Sequence, residues 1–530
     1  MRPLRTLSTP LLLASTFALG ACAVGPDYRP PAVSAAATQP SKEATSTDAT
    51  STAPATSTWW ELYSDPILSR LIDDAFRYNT DIRVAAANLR RVRAELSEAR
   101  AGRLPTTDLS ASYSRNRVGR DQLGPAGSGT SSGAVASTRD HYDSDFYEAG
   151  FDASYELDVF GRVSRSIEAT RGDAQAAQAD LEGVRISIAA QVAQSYAAAC
   201  GAAMQADVAR ESASLASDTR DLTQRLLDAG RGTQRDVDQA NVLVEQAAAQ
   251  VPGFEGERRA QLYALAALTG RPPAEIDEAA AACRLVPKVK TQIPVGDGAA
   301  LLARRPDVRA AERKLAADTA RIGVEMASLY PSITLLGSVS LGTPKLGNVG
   351  KGSSFGYSLG PLISWTLPNF EVARARIRQA RAGSDASLAE FEGTILTALR
   401  ETEQALARYA AALEQNAALD RAAASAQNAA AQTKQRFNSG RDDFLDVLFA
   451  EQNRAAARRA LAQSDATVAN LQVSLFKALG GGWENAPPSL DTPPPAGDPN
   501  REATAPSASP AKEPGGNRFE PDVSLRSENQ

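Results

Sequence analysis

The feature that most limits how this chain can fold is a tandem duplication. Asp81-Ile82-Arg83, Leu89, Ala94, Pro105, Leu109, Ser112 and Ser114 each meet a like residue 226 positions on: Asp307-Val308-Arg309, Leu315, Ala320, Pro331, Leu335, Ser338 and Ser340. Further along the offset becomes 210. Tyr155 and Leu157 meet Trp365 and Leu367, Gly230-Arg231 meets Gly440-Arg441, Asp236-Val237 meets Asp446-Val447, and Gly270 meets Gly480. The 16 residues separating the two offsets must fall between Ser114 and Tyr155. Gly124–Ser137 lies there, a Gly/Ser-rich loop of the kind that tolerates length changes. Whatever one half builds, the other builds again.

Each half reads as helix, strand, loop, strand, long helix, turn, helix. In the strands Phe151, Ala153, Tyr155, Leu157 and Val159 alternate with Asp152, Ser154, Glu156 and Asp158. Phe355, Tyr357, Leu359, Ile363, Trp365 and Leu367 alternate with Gly356, Ser358, Gly360, Ser364 and Thr366. Leu109, Ala111 and Tyr113, then Ile333, Leu335, Val339 and Leu341, mark the other two strands. A half-buried soluble sheet gives the same alternation. Here no helix is left over to cover four such strands, so their apolar face needs lipid or further copies of itself.

No proline occurs from Ala126 to Val251 or from Asn369 to Ala486. Gly161–Ala229 and Glu371–Ser439 are each expected as one helix of about 100 Å at 1.5 Å per residue. Spacings such as Ile186, Ala189/Ala190, Ala193 and Tyr196–Ala197 follow a coiled-coil step, and alanine allows close approach. Both helices stop at matching turns, Leu227–Gly232 and Phe437–Asp442, where Gly230 and Gly440 suit a left-handed cap. Thr233, and Asp442 or Asp443, can start the returning helices.

The ends differ from this body. Arg2, Arg5 and the apolar Leu11–Ala21 form an export signal too short to span a bilayer. It ends in Leu19-Gly20-Ala21-Cys22, which resembles a bacterial lipoprotein processing box, so Cys22 is expected to be lipidated. The expected division is 1–21 signal, 22–58 lipidated tether, 59–285 first repeat, 286–483 second repeat and 484–530 Pro-rich disordered tail. Within the tether, Ala32–Thr58 is Ser/Thr/Ala-rich and expected to be extended, with no core of its own. Cys200 and Cys283 could pair in an oxidising compartment, but two isolated thiols are more often buried and unpaired, so their pairing stays open.

Composition narrows the function. With 57 Lys+Arg against 62 Asp+Glu there is no basic patch for nucleic acid. One His, three Met and three Cys offer no metal site and no soft-metal path. No catalytic Ser/His/Asp set and no phosphate loop is present, so neither enzyme activity nor a cofactor is expected. Apart from the short signal core there is no long apolar run for a helical span, so any membrane crossing must be a β-barrel.

Several motifs in order resemble the TolC-like outer-membrane efflux channels, specifically the NodT- or OprM-type lipoproteins of tripartite, RND-type systems. They are Cys22-Ala-Val-Gly-Pro-Asp-Tyr-Arg-Pro30, Trp59-Trp60, Tyr155–Arg162, Arg304-Arg305-Pro306-Asp307-Val308, and the two Gly-Arg tips leading to Asp-Val. The resemblance implies a mainly α fold with a small β part. In it a homotrimer closes a 12-stranded β-barrel on a 12-helix periplasmic α-barrel. It implies a lipid-anchored outer-membrane duct with a long periplasmic extension, contacting outer-membrane lipid, a periplasmic adaptor and an inner-membrane RND-type transporter. It also implies adaptor docking at Gly230, Arg231, Gly440 and Arg441, and a gate at the tips.

The family's gate motif runs aromatic-x-x-Gly-x-Arg, then Asp-Val-Leu-Asp. Phe437, Gly440, Asp446, Val447 and Leu448 match it; the arginine is displaced to Arg441 with Asp442 in its place, and the last aspartate is Phe449. Asp236, Asp446, Asp442 and Arg441 are the gate candidates, with Asp236 and Asp446 expected a turn or more up the returning helices. Plain helix N-terminal placement accounts for the same acids. Alternatives are a type I secretion duct, a metal-efflux duct and, from another class, a structural coiled-coil lipoprotein.

Overall fold

The structure, a computed structural model, describes residues 23–45, 48–119, 141–289, 291–366 and 370–482. The signal, Cys22, the loop within 124–137, Leu367 and the tail lie outside the described residues.

The first repeat opens with α1 (Pro66–Tyr78) and α2 (Thr80–Ala101) and continues through strands β1 (Thr106–Gly119) and β2 (His141–Leu157). The 67-residue α3 (Arg162–Asp228) follows, and α4 (Gln234–Ala248) and α5 (Val251–Leu268) return along it. The second repeat runs α6 (Gly298–Arg304), α7 (Pro306–Ala327), β3 (Ser332–Thr343), β4 (Phe355–Ser364), the 69-residue α8 (Phe370–Asn438) and α9 (Phe444–Leu479). The long helices end at Asp228 and Asn438 and the returns begin at Gln234 and Phe444, so both boundaries keep the 210 offset. One difference between the halves is covalent in origin. The first return breaks between Ala248 and Val251, just before Pro252, which has no N–H to donate; Ala462 stands there in the unbroken α9.

The four strands form one antiparallel sheet in the order β1-β2-β3-β4. Register puts Leu109 opposite Phe151, Phe151 opposite Val339 and Val339 opposite Tyr357, with Leu157, Ile333 and Ile363 in another row. Side chains opposite one another share a face, so the alternating apolar set is continuous across the sheet. Ser154, Ser358 and Ser364 fall on the other face, where Ser338 and Ser358 hydroxyls lie 2.8 Å apart. Leu336 and Leu362 also fall on that polar face, against the expected alternation. β2 ends at Leu157, so Asp158 and Val159, expected to continue it, instead turn the chain. The Asp158 carboxylate accepts from the Val163 and Ser164 N–H groups at 2.8 Å and starts α3.

The main core lies midway, where Trp59, Trp60, Tyr63 and Phe76 meet Phe476; the Trp59 and Phe476 rings stack at 4.9 Å. Arg305 and Arg304 fasten its second half. Arg304 Nε donates to the Leu479 carbonyl at 2.9 Å, and Arg305 reaches Ala478, Asp307 and Glu401.

One open question closes and one expectation changes. Cys200 and Cys283 are joined in a disulfide, with Cα atoms 5.2 Å apart. Helix α3 presents a fully buried Cys200 to the segment that links the repeats, and that proximity outweighs their separation of 83 residues. The tether also packs. Ala37 is buried beside Leu302, Phe391 and Ile395, the Lys42 N–H donates to Glu403 at 2.9 Å, and Thr50–Ser51 pairs in parallel with Ile293–Pro294. A chain too polar for its own core can still borrow one.

Candidate functional site

The two helical turns at the far end from the sheet are built alike. At the first, Gly230 has φ +72°, its N–H donates to the Leu227 carbonyl at 2.8 Å, and the Arg231 N–H donates to Leu226 at 2.8 Å. At the second, Gly440 has φ +71°, with Gly440 to Phe437 at 2.9 Å and Arg441 to Arg436 at 3.0 Å. This double closure satisfies carbonyls that a helix end leaves free, and it requires a left-handed residue. No atom lies within 4 Å of an added Cβ at either glycine, so backbone conformation rather than space demands it. Arg231 and Arg441 follow with exposed side chains.

The returning helices begin with matched capping boxes. Asp236 accepts from the Thr233 N–H at 2.9 Å and its hydroxyl at 2.7 Å, and the Asp236 N–H donates back to the hydroxyl oxygen. Asp443 accepts from the Asp446 N–H at 3.0 Å, and Asp446 accepts from the Asp443 N–H at 3.3 Å. Asp236 and Asp446 thus sit in the first helical turn and face back onto the tip, not a turn or more higher as expected. A reciprocal cap needs its acid three residues in, and no further. The Thr233 hydrogen bonds, chiefly that of its hydroxyl, hold the Asp236 carboxyl below its ordinary range.

Asp442 does not cap the helix. It accepts from Arg436 Nε at 2.9 Å and pairs with Nη2 at 2.7 Å, and that guanidinium holds its carboxyl below the ordinary range. The sequence reading missed Arg436; the available signal was a pair of opposite charges six positions apart across a glycine turn. Gln234 uses its amide on Asp238 of its own helix at 3.0 Å. Higher up, Arg458 of α9 pairs with Glu211 of α3, so the two hairpins run side by side.

At the opposite end, the start of the described chain is clamped where sheet becomes helix. The Val24 N–H donates to Phe160 at 3.2 Å, and Ala23 lies so close to Gly161 (φ +80°) that a Cβ there would come within 2.7 Å of Ala23 Cβ. Arg165, almost wholly buried, donates to the Val24 carbonyl and pairs with Asp27 at 2.7 Å and Glu168 at 2.8 Å. The Tyr28 hydroxyl donates to Glu312 at 2.9 Å. The residue after Cys22 therefore packs against the turn between β2 and α3.

A family model described as "Outer membrane efflux protein" matches residues 71–271 and 299–481. The solvent efflux pump outer membrane protein SrpC of Pseudomonas putida is 32% identical over 470 residues, covering 88% of this chain and 96% of that protein. Outer membrane protein OprJ of Pseudomonas aeruginosa is 32% identical over 485 residues, covering 89% and 95%. Among solved structures, the outer-membrane channel OprN superposes with a TM-score of 0.78 at 33% identity, over 87% of this chain and all of that one. The open state of the Neisseria gonorrhoeae MtrE outer membrane channel gives 0.72 at 28%, over 89% and all of that one.

Proposed function

The chain belongs to the outer membrane efflux protein family, and from that membership we propose that three copies assemble into the exit duct of a tripartite pump. It is an outer-membrane efflux channel protein with the fold of the TolC-like channels. The sheet carries the trimer reading. It has one continuous apolar face, one polar face, and outer strands β1 and β4 each paired on a single side. A membrane tolerates no open sheet edge, and three copies would close twelve strands into a barrel with its polar face inward. Among the described residues no helix is long and apolar enough to cross a membrane.

The division into repeats at 59–285 and 286–483 goes with this reading. The helical hairpins extend the barrel into the periplasm toward an adaptor and an inner-membrane RND-type transporter. Gly230, Arg231, Gly440 and Arg441 are the adaptor-docking points. Asp236, Asp446 and Asp442 act at the gate by holding the shape of the tips, with Arg441 beside them. The duct is a passive conduit, not an enzyme; the transporter drives flux. Relatives named for solvent, toluene and antibiotic efflux favour small apolar or amphiphilic cargo over secreted proteins or metal ions. Cys22 carries the lipid, a reading supported by the Leu19–Cys22 processing box and by Ala23 packing against Gly161 in the turn that follows β2.

In detergent the protein should run as heat-resistant trimers and give conductance steps in planar bilayers, whereas soluble monomers would point to the coiled-coil rod. Mass spectrometry should find Met1–Ala21 removed and acyl mass on Cys22; an unmodified Cys22 would remove the anchor.

A further inference from the structure

We infer that the narrowest ring at the tips is apolar, a collar of Leu445 and Phe449 contributed by each of three copies of the chain, and not a ring of carboxylates. This rests on the trimeric duct proposed above.

The acids of the tips are engaged locally. Asp442 is held by Arg436, Asp443 and Asp446 close one capping box, Asp236 closes the other with Thr233, and Asp238 binds Gln234. A carboxylate that caps its own helix has an oxygen already engaged by its own backbone. Helix α9 presents something else. Val447 and Leu448 are buried in the hairpin, while Leu445 is 37% exposed and Phe449 60% exposed. Four positions apart, these two stand on one face of the helix. They form an apolar stripe at the end of the chain most remote from the apolar sheet.

The duplication says which copy of the tip owns this stripe. At the 210 offset Leu445 corresponds to Arg235 and Phe449 to Gln239. What the two halves share, Gly-Arg and Asp-Val, is what builds the turn. Where they differ, one half has two apolar side chains and the other two polar ones. A threefold assembly would therefore set three Leu/Phe pairs alternating with three Arg/Gln pairs. Only a second and third copy of this chain bring identical rings together on one axis, and closing the four-stranded sheet calls for that same number of copies. Those copies are the occupants of the stripe.

A ring of phenylalanines closes a pore by expelling water, without bound cations or protons. A ring of carboxylates would repel itself, raising its pKa into the neutral range and attracting divalent cations. The two are separable in planar bilayers with the full-length trimer. Wild-type conductance should change little between about pH 5 and pH 8 and on adding magnesium. Phe449→Ala should raise it several-fold, and Phe449→Asp should make it sensitive to magnesium. Magnesium block of the wild type, or unchanged conductance in an intact Phe449→Ala trimer, overturns the apolar collar while leaving the duct standing. So does a Phe449→Ala variant that conducts normally but loses adaptor binding, because the stripe is then an adaptor contact. A wild type that forms no channels at all removes the duct reading itself, and the collar with it.

Discussion

Asn79 and Arg305, 226 positions apart, hold the same post in the two repeats. Each stands just before a helix that leads into the sheet, and each donates a side-chain N–H to the last turn of its own half's return helix. Asn79 Nδ2 reaches the Leu268 carbonyl at 2.9 Å, and Arg305 Nη1 reaches Ala478 at 3.0 Å. Leu268 and Ala478 are themselves repeat mates. Two different side chains tie entry and exit of each repeat at equivalent atoms.

Removing either tie should therefore open its own half. Asn79 also caps α2, accepting from Asp81 N–H at 2.9 Å and Ile82 N–H at 3.2 Å. Asn79→Ala loses the cap and leaves a carbonyl unpaired, a cost of about 2–3 kcal/mol. Arg305→Lys cannot reach Ala478, Asp307 and Glu401 together and should cost a similar amount. The temperature at which trimers dissociate on gels should fall in both variants; an unchanged temperature would deny the tie.

The Cys200–Cys283 bridge closes a loop of 83 residues and should stabilise the fold by about 2–4 kcal/mol. Reductant, Cys200→Ala, Cys283→Ala and the double variant should all lower thermal stability about equally, since each breaks the same bond. Labelling of two free thiols in the untreated protein would show that the bridge does not form.

The two faces of β4 should differ in tolerance to charge. Tyr357 and Leu359 are 78% and 76% exposed on the apolar face, and Ser358 lies between them on the polar one. Leu359→Arg near mid-bilayer should cost roughly 2–4 kcal/mol and reduce assembly, while Ser358→Arg should be tolerated. Equal loss of trimer in the two variants would reject the assignment, and with it the same assignment for Tyr155, Leu157, Ile363 and Trp365 against Ser154 and Ser364.

The tips should loosen in acid. Asp236 and Asp442 have folded pKa values below their ordinary ones, so their contribution is full above the ordinary carboxylate value and is lost as pH falls through the folded value. Hydrogen exchange at Arg231–Asp236 and Arg441–Asp446 should speed up in that window and not at neutral pH. Asp236→Ala with Asp446→Ala should raise conductance, because both caps are lost. Gly440→Pro should spare the trimer but abolish efflux, since proline has neither the positive φ nor the N–H that reaches Phe437. Unchanged conductance in a well-assembled double alanine variant would remove these acids from the gate.

Much of this architecture was legible in the residue order because its causes are local or periodic. Gly230 and Gly440 supply the left-handed residue that closes a helix end, a period of two sorts Leu157 from Ser154, and duplication repeats the ends of the long helices. Candidate gate residues were legible as types but not as partners. Asp446 turned out to satisfy its own helix start, and Asp442 to bind an arginine on the preceding helix, because hydrogen-bond geometry is settled only once the turn closes. The sequence by itself determined the repeats, the order of long helices and strands, and the face most strand residues take, though not that of Leu336 or Leu362. Only the tertiary structure decided that Cys200 meets Cys283, that Ala37 and Thr50 dock on the second repeat, and that β2 pairs with β3. Those contacts join residues far apart in the chain, and no pattern of neighbours encodes which distant surfaces will be brought within reach.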